Sequence, residues 1–171
     1  MRILACLAVL PLAAFAVPAM AQETAMVDHV AAVIIGFADG QTATVMGELA
    51  VAVERTAPGA FRGTEDGVDF AFTVVEEAPC IFLGRFESGG QVFAMRLNAA
   101  GIEAISFDNP VQKVGYTRFT VVLEGPEGMV ETAPPGADFE PGPTSSPIGT
   151  SLTAEHLAAA AGAVVDACKG V

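Results

Sequence analysis

The chain has no tryptophan, one tyrosine, two histidines and only eight lysines and arginines among its 171 residues. Each shortage removes a class of function. With Tyr116 alone and no indole, there is no aromatic platform for stacking sugar rings. His29 and His156 are far apart in sequence, and neither belongs to a His-x-x-x-His pair, so the spacing of a zinc site is missing. The alternating Asp and Asn ligands of a calcium loop, the Gly-x-Ser-x-Gly elbow, phosphate-cradling glycine loops and a Cys-x-x-Cys pair are also missing. The eight cations face 20 acids, for a net charge of -12 at pH 7. That balance argues against nucleic acid or anionic lipid as partners. It permits a basic protein partner or cations, and it also serves solubility.

No catalytic, cofactor-binding or metal-binding residues emerge from the sequence. The pairs Glu65-Asp66 and Glu76-Glu77 have the composition of an acid–base set but flank a strand, where they read as solvated ends. The chain leans away from enzymatic function, and no cofactor is expected.

What is present begins with an export signal. Arg2 is followed by an apolar run, Ile3 to Val17, broken by Pro11, and then by Pro18-Ala19-Met20-Ala21 with an Ala-x-Ala pattern. Cleavage is expected between Ala21 and Gln22. The run is short of the roughly 20 residues a membrane span needs, so no span is expected in the mature protein. Cys6 has no apolar segment before it and does not fit a lipoprotein site. Residues 1–21 are therefore read as signal and 22–171 as one domain of 150 residues. Losing Arg2 takes the net charge to -13.

Export leaves two cysteines, Cys80 and Cys168, and an oxidising compartment favours joining them in one bridge. Neither has a local cationic or histidine partner of the kind that activates a thiol. Cys168 closes a stripe with Leu157, Ala160, Ala161, Val164 and Val165 on a 3.6-residue period. Thr153 is the expected N-cap, Glu155 stands in the first turn, and Leu152 and Leu157 form a hydrophobic staple. Lys169 and Gly170 suit the C-terminal end. Gly162 interrupts this helix and is read as a close approach to a sheet.

A first helix is expected over Thr24 to Ala38, with Met26, Val30, Val33, Ile34 and Phe37 along one side. Thr42 to Arg55 carries both helical and alternating patterns. The recurrence of β-branched residues on the alternating set favours a strand. Val68 to Val74, Cys80 to Phe86, Val92 to Leu97, Ile102 to Phe107 and Val111 to Leu123 read as strands joined by tight turns, which argues an antiparallel meander. Glu124 to Thr150 holds six prolines, five glycines, five acids and no cation, and reads as a linker or recognition loop. Excising Val130 to Pro147 is then expected to leave stability intact.

The expected fold is α+β, an antiparallel sheet of five or six strands with an N-terminal and a C-terminal helix on one face. Arg85, Arg96 and Arg118 fall on neighbouring expected strands. On a shared face they would bind an anion or pair with Glu87 and Glu103, cross-strand ion pairs being the ordinary use. The function expected is that of a periplasmic or secreted binding or accessory protein, engaging a partner through the open sheet face or the acidic loop. The alternatives are a binder of a small apolar or anionic ligand, with Phe70, Phe72, Phe82, Phe86, Phe93, Phe107 and Phe119 lining a pocket between sheet and helices, and a hydrolase with dispersed residues.

Overall fold

A computed structural model describes residues 19–44 and 50–171. The expected signal core, Arg2 to Val17, and residues 45–49 of the ambiguous segment lie outside them. The chain opens with helix α1 (Ala19–Ile35), which runs through the expected cleavage point at Ala21 and Gln22. Seven strands follow: β1 (Thr42–Thr44), β2 (Val51–Ala52), β3 (Glu54–Ala57), β4 (Ala60–Glu65), β5 (Val68–Ala78), β6 (Ile81–Ser88) and β7 (Gln91–Asn98). A 3₁₀ turn (Ala99–Gly101) leads into β8 (Ala104–Gln112), β9 (Thr117–Glu124), β10 (Val130–Ala133), β11 (Glu140–Pro141), β12 (Ser145–Thr150) and helix α2 (Ala154–Cys168).

The fold is α+β, but the expected single meander is replaced by two antiparallel sheets. One has seven strands in the order β11-β10-β7-β6-β5-β4-β3, and the other has five in the order β2-β1-β12-β9-β8. Three expectations fail for identifiable reasons. The expected strand Val111 to Leu123 is split by a turn in which Lys113 N–H donates to Tyr116 C=O at 2.9 Å and Gly115 adopts φ 85°. Its first residues belong to β8, which continues through Asp108-Asn109-Pro110 by a bulge, with Asn109 at φ 51°. β8 is an edge strand, where a proline removes no needed donor.

The stretch Glu124 to Thr150 is not a linker. It supplies β10, β11 and β12, and β12 lies between β1 and β9. Pro147 pairs with Thr120 of β9, and the described rungs to β1 involve only Gly149 and Thr150. Excising Val130 to Pro147 would remove part of both sheets. Within Thr42 to Arg55, the described residues form the short strands β1 and β2 and the start of β3.

The helices do not share one face of one sheet. Val30, Ala31, Ala32, Val33 and Ile34 are consecutive and all buried. A helix apolar on every side belongs in a core, and α1 touches β5 and β6 of one sheet, β12 of the other, and α2. Helix α2 packs on α1, β8 and the 3₁₀ turn. Its buried stripe is Leu157, Ala160, Ala161, Val164 and Cys168, and Thr153 Oγ1 accepts from His156 N–H. Gly162 is exposed with open space around it, so it marks no close approach.

Cys80 and Cys168 are joined in a disulfide with Cα atoms 5.6 Å apart, pinning the end of α2 to the β5–β6 turn. Cys80 sits there at φ 59°, its N–H donating to Glu76 Oε1 at 2.8 Å. The bridge fits an oxidising environment. Among the described residues, no helix is long and apolar enough to cross a membrane.

One junction fixes where α1 ends. Gly36 follows it at φ 76°, and a Cβ there would stand 2.8 Å from Thr150 Cβ, so only glycine suits. Thr150 is fully buried. Its hydroxyl donates to Gly36 C=O at 2.7 Å and accepts from Leu152 N–H at 3.1 Å. Phe37, next in the chain, packs against Phe61, Phe70 and Phe72 with ring centroids 5.6–6.0 Å away.

Candidate functional site

The site is built where the end of α1 meets β6, β7 and β12. Strands β6 and β7 are joined at Gly89-Gly90, both at positive φ, as a two-residue hairpin requires. The register sets Phe86 opposite Phe93, Gly84 opposite Met95 and Phe82 opposite Leu97. Side chains alternate along a strand, so these six residues share the face turned toward α1. At Gly84 a Cβ would lie 3.3 Å from the Phe72 ring and 3.6 Å from Ile34 Cδ1. The missing side chain lets the end of α1 settle onto the sheet.

Beyond Gly84 the face opens into a groove of about 180 Å³. Ile34, Ile35 and Phe37 form its floor from the α1 side, with Phe86 and Phe93 on one wall and Thr44, Pro147 and Ile148 on the other. Among the described residues, no charged one lines it. Phe93 is 37% exposed at the lip, whereas Phe82 and Leu97, further along the same face, are each only 1% exposed. Phe70 stacks on Phe86 at 5.8 Å, joining the groove wall to the aromatic cluster around Phe37. A large apolar group left in water is costly, so Phe93 is the side chain that gains most from a visitor.

A wider depression of about 840 Å³ crosses the β3–β4 and β5–β6 region. Among the described residues, its one lining cation, Arg62, is already paired, and the acids Glu54, Asp69 and Glu87 leave the lining net acidic. Arg62 donates to Glu54 Oε2 at 2.8 Å, and Thr64 Oγ1 donates to Asp69 Oδ1 at 2.7 Å. This is an open surface on which Arg62 and Asp69 are already engaged by neighbouring side chains.

The three arginines do not form one cluster. Arg85 and Arg96 share the outer face of the seven-stranded sheet, where register places them diagonally on β6 and β7. Arg118 lies on the outer face of the five-stranded sheet, opposite Gly149 and Val111. Arg96 Nε donates to Glu77 at 2.9 Å and Nη1 to Glu131 at 3.1 Å, and Phe139 covers its guanidinium at 4.2 Å. The hydrogen bond to Glu77, then that to Glu131, holds the Arg96 guanidinium above its ordinary pKa. Its acidic partners are therefore not Glu87 and Glu103.

The remaining candidates take structural positions. Glu76 accepts from Cys80 N–H and Glu77 from Arg96, while Asp66 turns the β4–β5 hairpin at φ 51°. His156 is an exposed residue of the α2 cap, its Nδ1 3.0 Å from Thr153 Oγ1, and His29 is half-buried on α1. Among the described residues, no group of three His, Cys, Asp or Glu is placed to hold a metal ion.

Of the phenylalanines weighed as a pocket lining, Phe86 and Phe93 line the groove. Phe70, Phe72, Phe82 and Phe119 are buried in the core, and Phe107 packs edge-on against Phe119 at 6.3 Å. Sequence reasoning passed over Phe37, Pro147 and Ile148. The available signal was Ile148, one of few large apolar residues, with Met129, Val130 and Phe139, in the Pro/Gly stretch.

Comparison with protein-family models, with curated proteins and with solved structures finds no match to this chain.

Proposed function

We propose that this chain is a non-catalytic binding or accessory protein of an oxidising compartment, the periplasm or the exterior, and that it binds through the apolar groove between α1, β6, β7 and β12. The observation that carries this reading is the half-exposed Phe93 at the lip of a phenylalanine-walled recess that, among the described residues, no charged one lines. Elsewhere, Glu76, Glu77, Arg96 and His156, which sequence reading weighed as chemistry, are hydrogen-bonded into a turn, an ion-pair network and a helix cap. The single disulfide supports the compartment. Of the acidic stretch 124–150, Pro147 and Ile148 line the groove, while β10, β11 and β12 within it help to build the two sheets.

The test is methyl NMR with isoleucine labelling and toluene as the probe. Shifts at Ile34, Ile35 and Ile148 that saturate, while Ile81 and Ile102 stay unchanged, are the expected result. Unchanged methyls at all five positions up to the solubility of toluene overturn the groove reading.

A further inference from the structure

We propose that the groove's natural occupant is an extended, basic segment of a partner polypeptide, added as a strand beside Gln91–Phe93 of β7 with one apolar side chain seated against Phe86 and Phe93. The proposal rests on the groove reading and adds to it the class of partner and its binding mode.

Three observations lead there. The first is the sheet edge. β7 pairs along its whole length with β6, but β10 covers only Ala94 to Leu97 on the other flank, leaving at Pro134-Pro135 after the rung Ala133–Ala94. Among the described residues, no strand pairs with that flank at Gln91, Val92 and Phe93. Backbone donors and acceptors on such a flank template a further strand in line with β10. Val92 and Phe93 are both exposed there, at 43% and 37%.

The second is size. Pockets for whole small molecules run to about 300–1,000 Å³, and this groove holds about 180 Å³. It suits one large apolar side chain, with the rest of the occupant outside. A residue added opposite Phe93 shares its face and enters the groove, while its neighbours point to the outer face. The matching segment is therefore apolar at the central position and polar on either side of it.

The third is charge. With a net charge of -12 over the whole chain, two copies meeting edge to edge repel each other, whereas a lysine-bearing segment is drawn in. Charge thus selects a basic partner over a second copy of this chain.

The test uses fluorescence anisotropy with a labelled peptide, Thr-Lys-Thr-Lys-Leu-Lys-Thr-Lys-Thr, and two versions of it N-methylated at alternate residues along one edge or the other. The unmodified peptide is expected to bind, more weakly as salt rises. One N-methylated version should bind about tenfold or more weakly and the other unchanged, since only one edge faces β7. Exchanging the lysines for glutamates should weaken binding by a similar factor. Equal binding of both N-methylated peptides, or of the acidic peptide, overturns the proposal, as does failure of the peptide to bind while toluene still shifts the groove methyls. In those cases the groove reading stands. Silence of both probes overturns both readings. Concentration-dependent dimerisation in sedimentation, abolished by Phe93→Ser, also overturns the proposal, because the edge then belongs to a second copy. The peptide series uses the unaltered protein, so its outcome does not depend on how any variant folds.

Discussion

Asp28 on α1 and Arg55 on β3 are joined by two contacts, Oδ2 to Nη2 at 2.7 Å and Oδ1 to Nε at 3.2 Å. The same Oδ1 accepts the N–H of Gly59 at 2.8 Å, so one carboxylate ties the buried helix to the whole β3–β4 hairpin. Both side chains are about a third exposed or less, at 28% and 32%. Asp28→Ala is expected to destabilise the protein by about 1–3 kcal/mol, because it leaves a guanidinium and an amide short of partners. Glu54→Ala breaks the pair with Arg62, whose members are 64% and 62% exposed, and should cost less than about 1 kcal/mol. Urea unfolding midpoints of the two variants check the contrast, and equal losses would refute it.

The Thr150 hydroxyl makes two buried hydrogen bonds between the end of α1 and the approach to α2. Thr150→Val keeps the shape and removes both bonds, for an expected loss of about 1–3 kcal/mol. Thr150→Ser keeps the hydroxyl and loses one methyl, about 1 kcal/mol. Thermal unfolding that ranks serine below valine would contradict the assignment of stability to those bonds.

Opening the bridge between Cys80 and Cys168, which are 88 residues apart, should destabilise the domain by roughly 2–5 kcal/mol. Denaturant unfolding with and without reductant, and of the double variant Cys80→Ala/Cys168→Ala, measures it. A midpoint insensitive to both treatments would show that packing of α2 alone holds the chain end.

Phe139 lies on the stretch between β10 and β11 and is held against the sheet by the Arg96 guanidinium, itself fixed by Glu77 and Glu131. Arg96→Met retains length without the paired donors. Limited digestion with chymotrypsin should then cut after Phe139 faster than in the unaltered chain, with the core fragments surviving. An unchanged cleavage rate would mean that Pro134, Pro135 and Pro141 restrain this stretch unaided.

How legible these features were depends on whether they are local. The α2 stripe, its Thr153 cap and the Cys80–Cys168 pairing could be read directly, because a 3.6-residue period and a count of two cysteines need no knowledge of the rest of the fold. The β5, β6 and β7 strands could be read for the same reason, as alternation bounded by Gly89-Gly90. The division into two sheets could not. It is set by the pairing of β1 with β12, residues more than a hundred positions apart, and no local pattern encodes that rung. Pro147 misled for a physical reason: proline disfavours a central strand only where its missing N–H would face a neighbour. The groove was half legible. Phe86 and Phe93 follow from the hairpin register, whereas Ile34 and Ile148 reach it only through the tertiary arrangement.

The position of β12 between β1 and β9 sets an order of events in folding. Strands β3 to β7 pair each with the next in sequence, so their sheet can zip up from short loops as soon as they exist. The other sheet forms two such pairs, β1 with β2 and β8 with β9, but joining them requires residues 145–150 to pair with β1 on one side and β9 on the other. One proline-bearing strand thus joins the two ends of the domain through rungs more than a hundred residues apart, and such rungs are expected to form more slowly than the hairpins of β3 to β7.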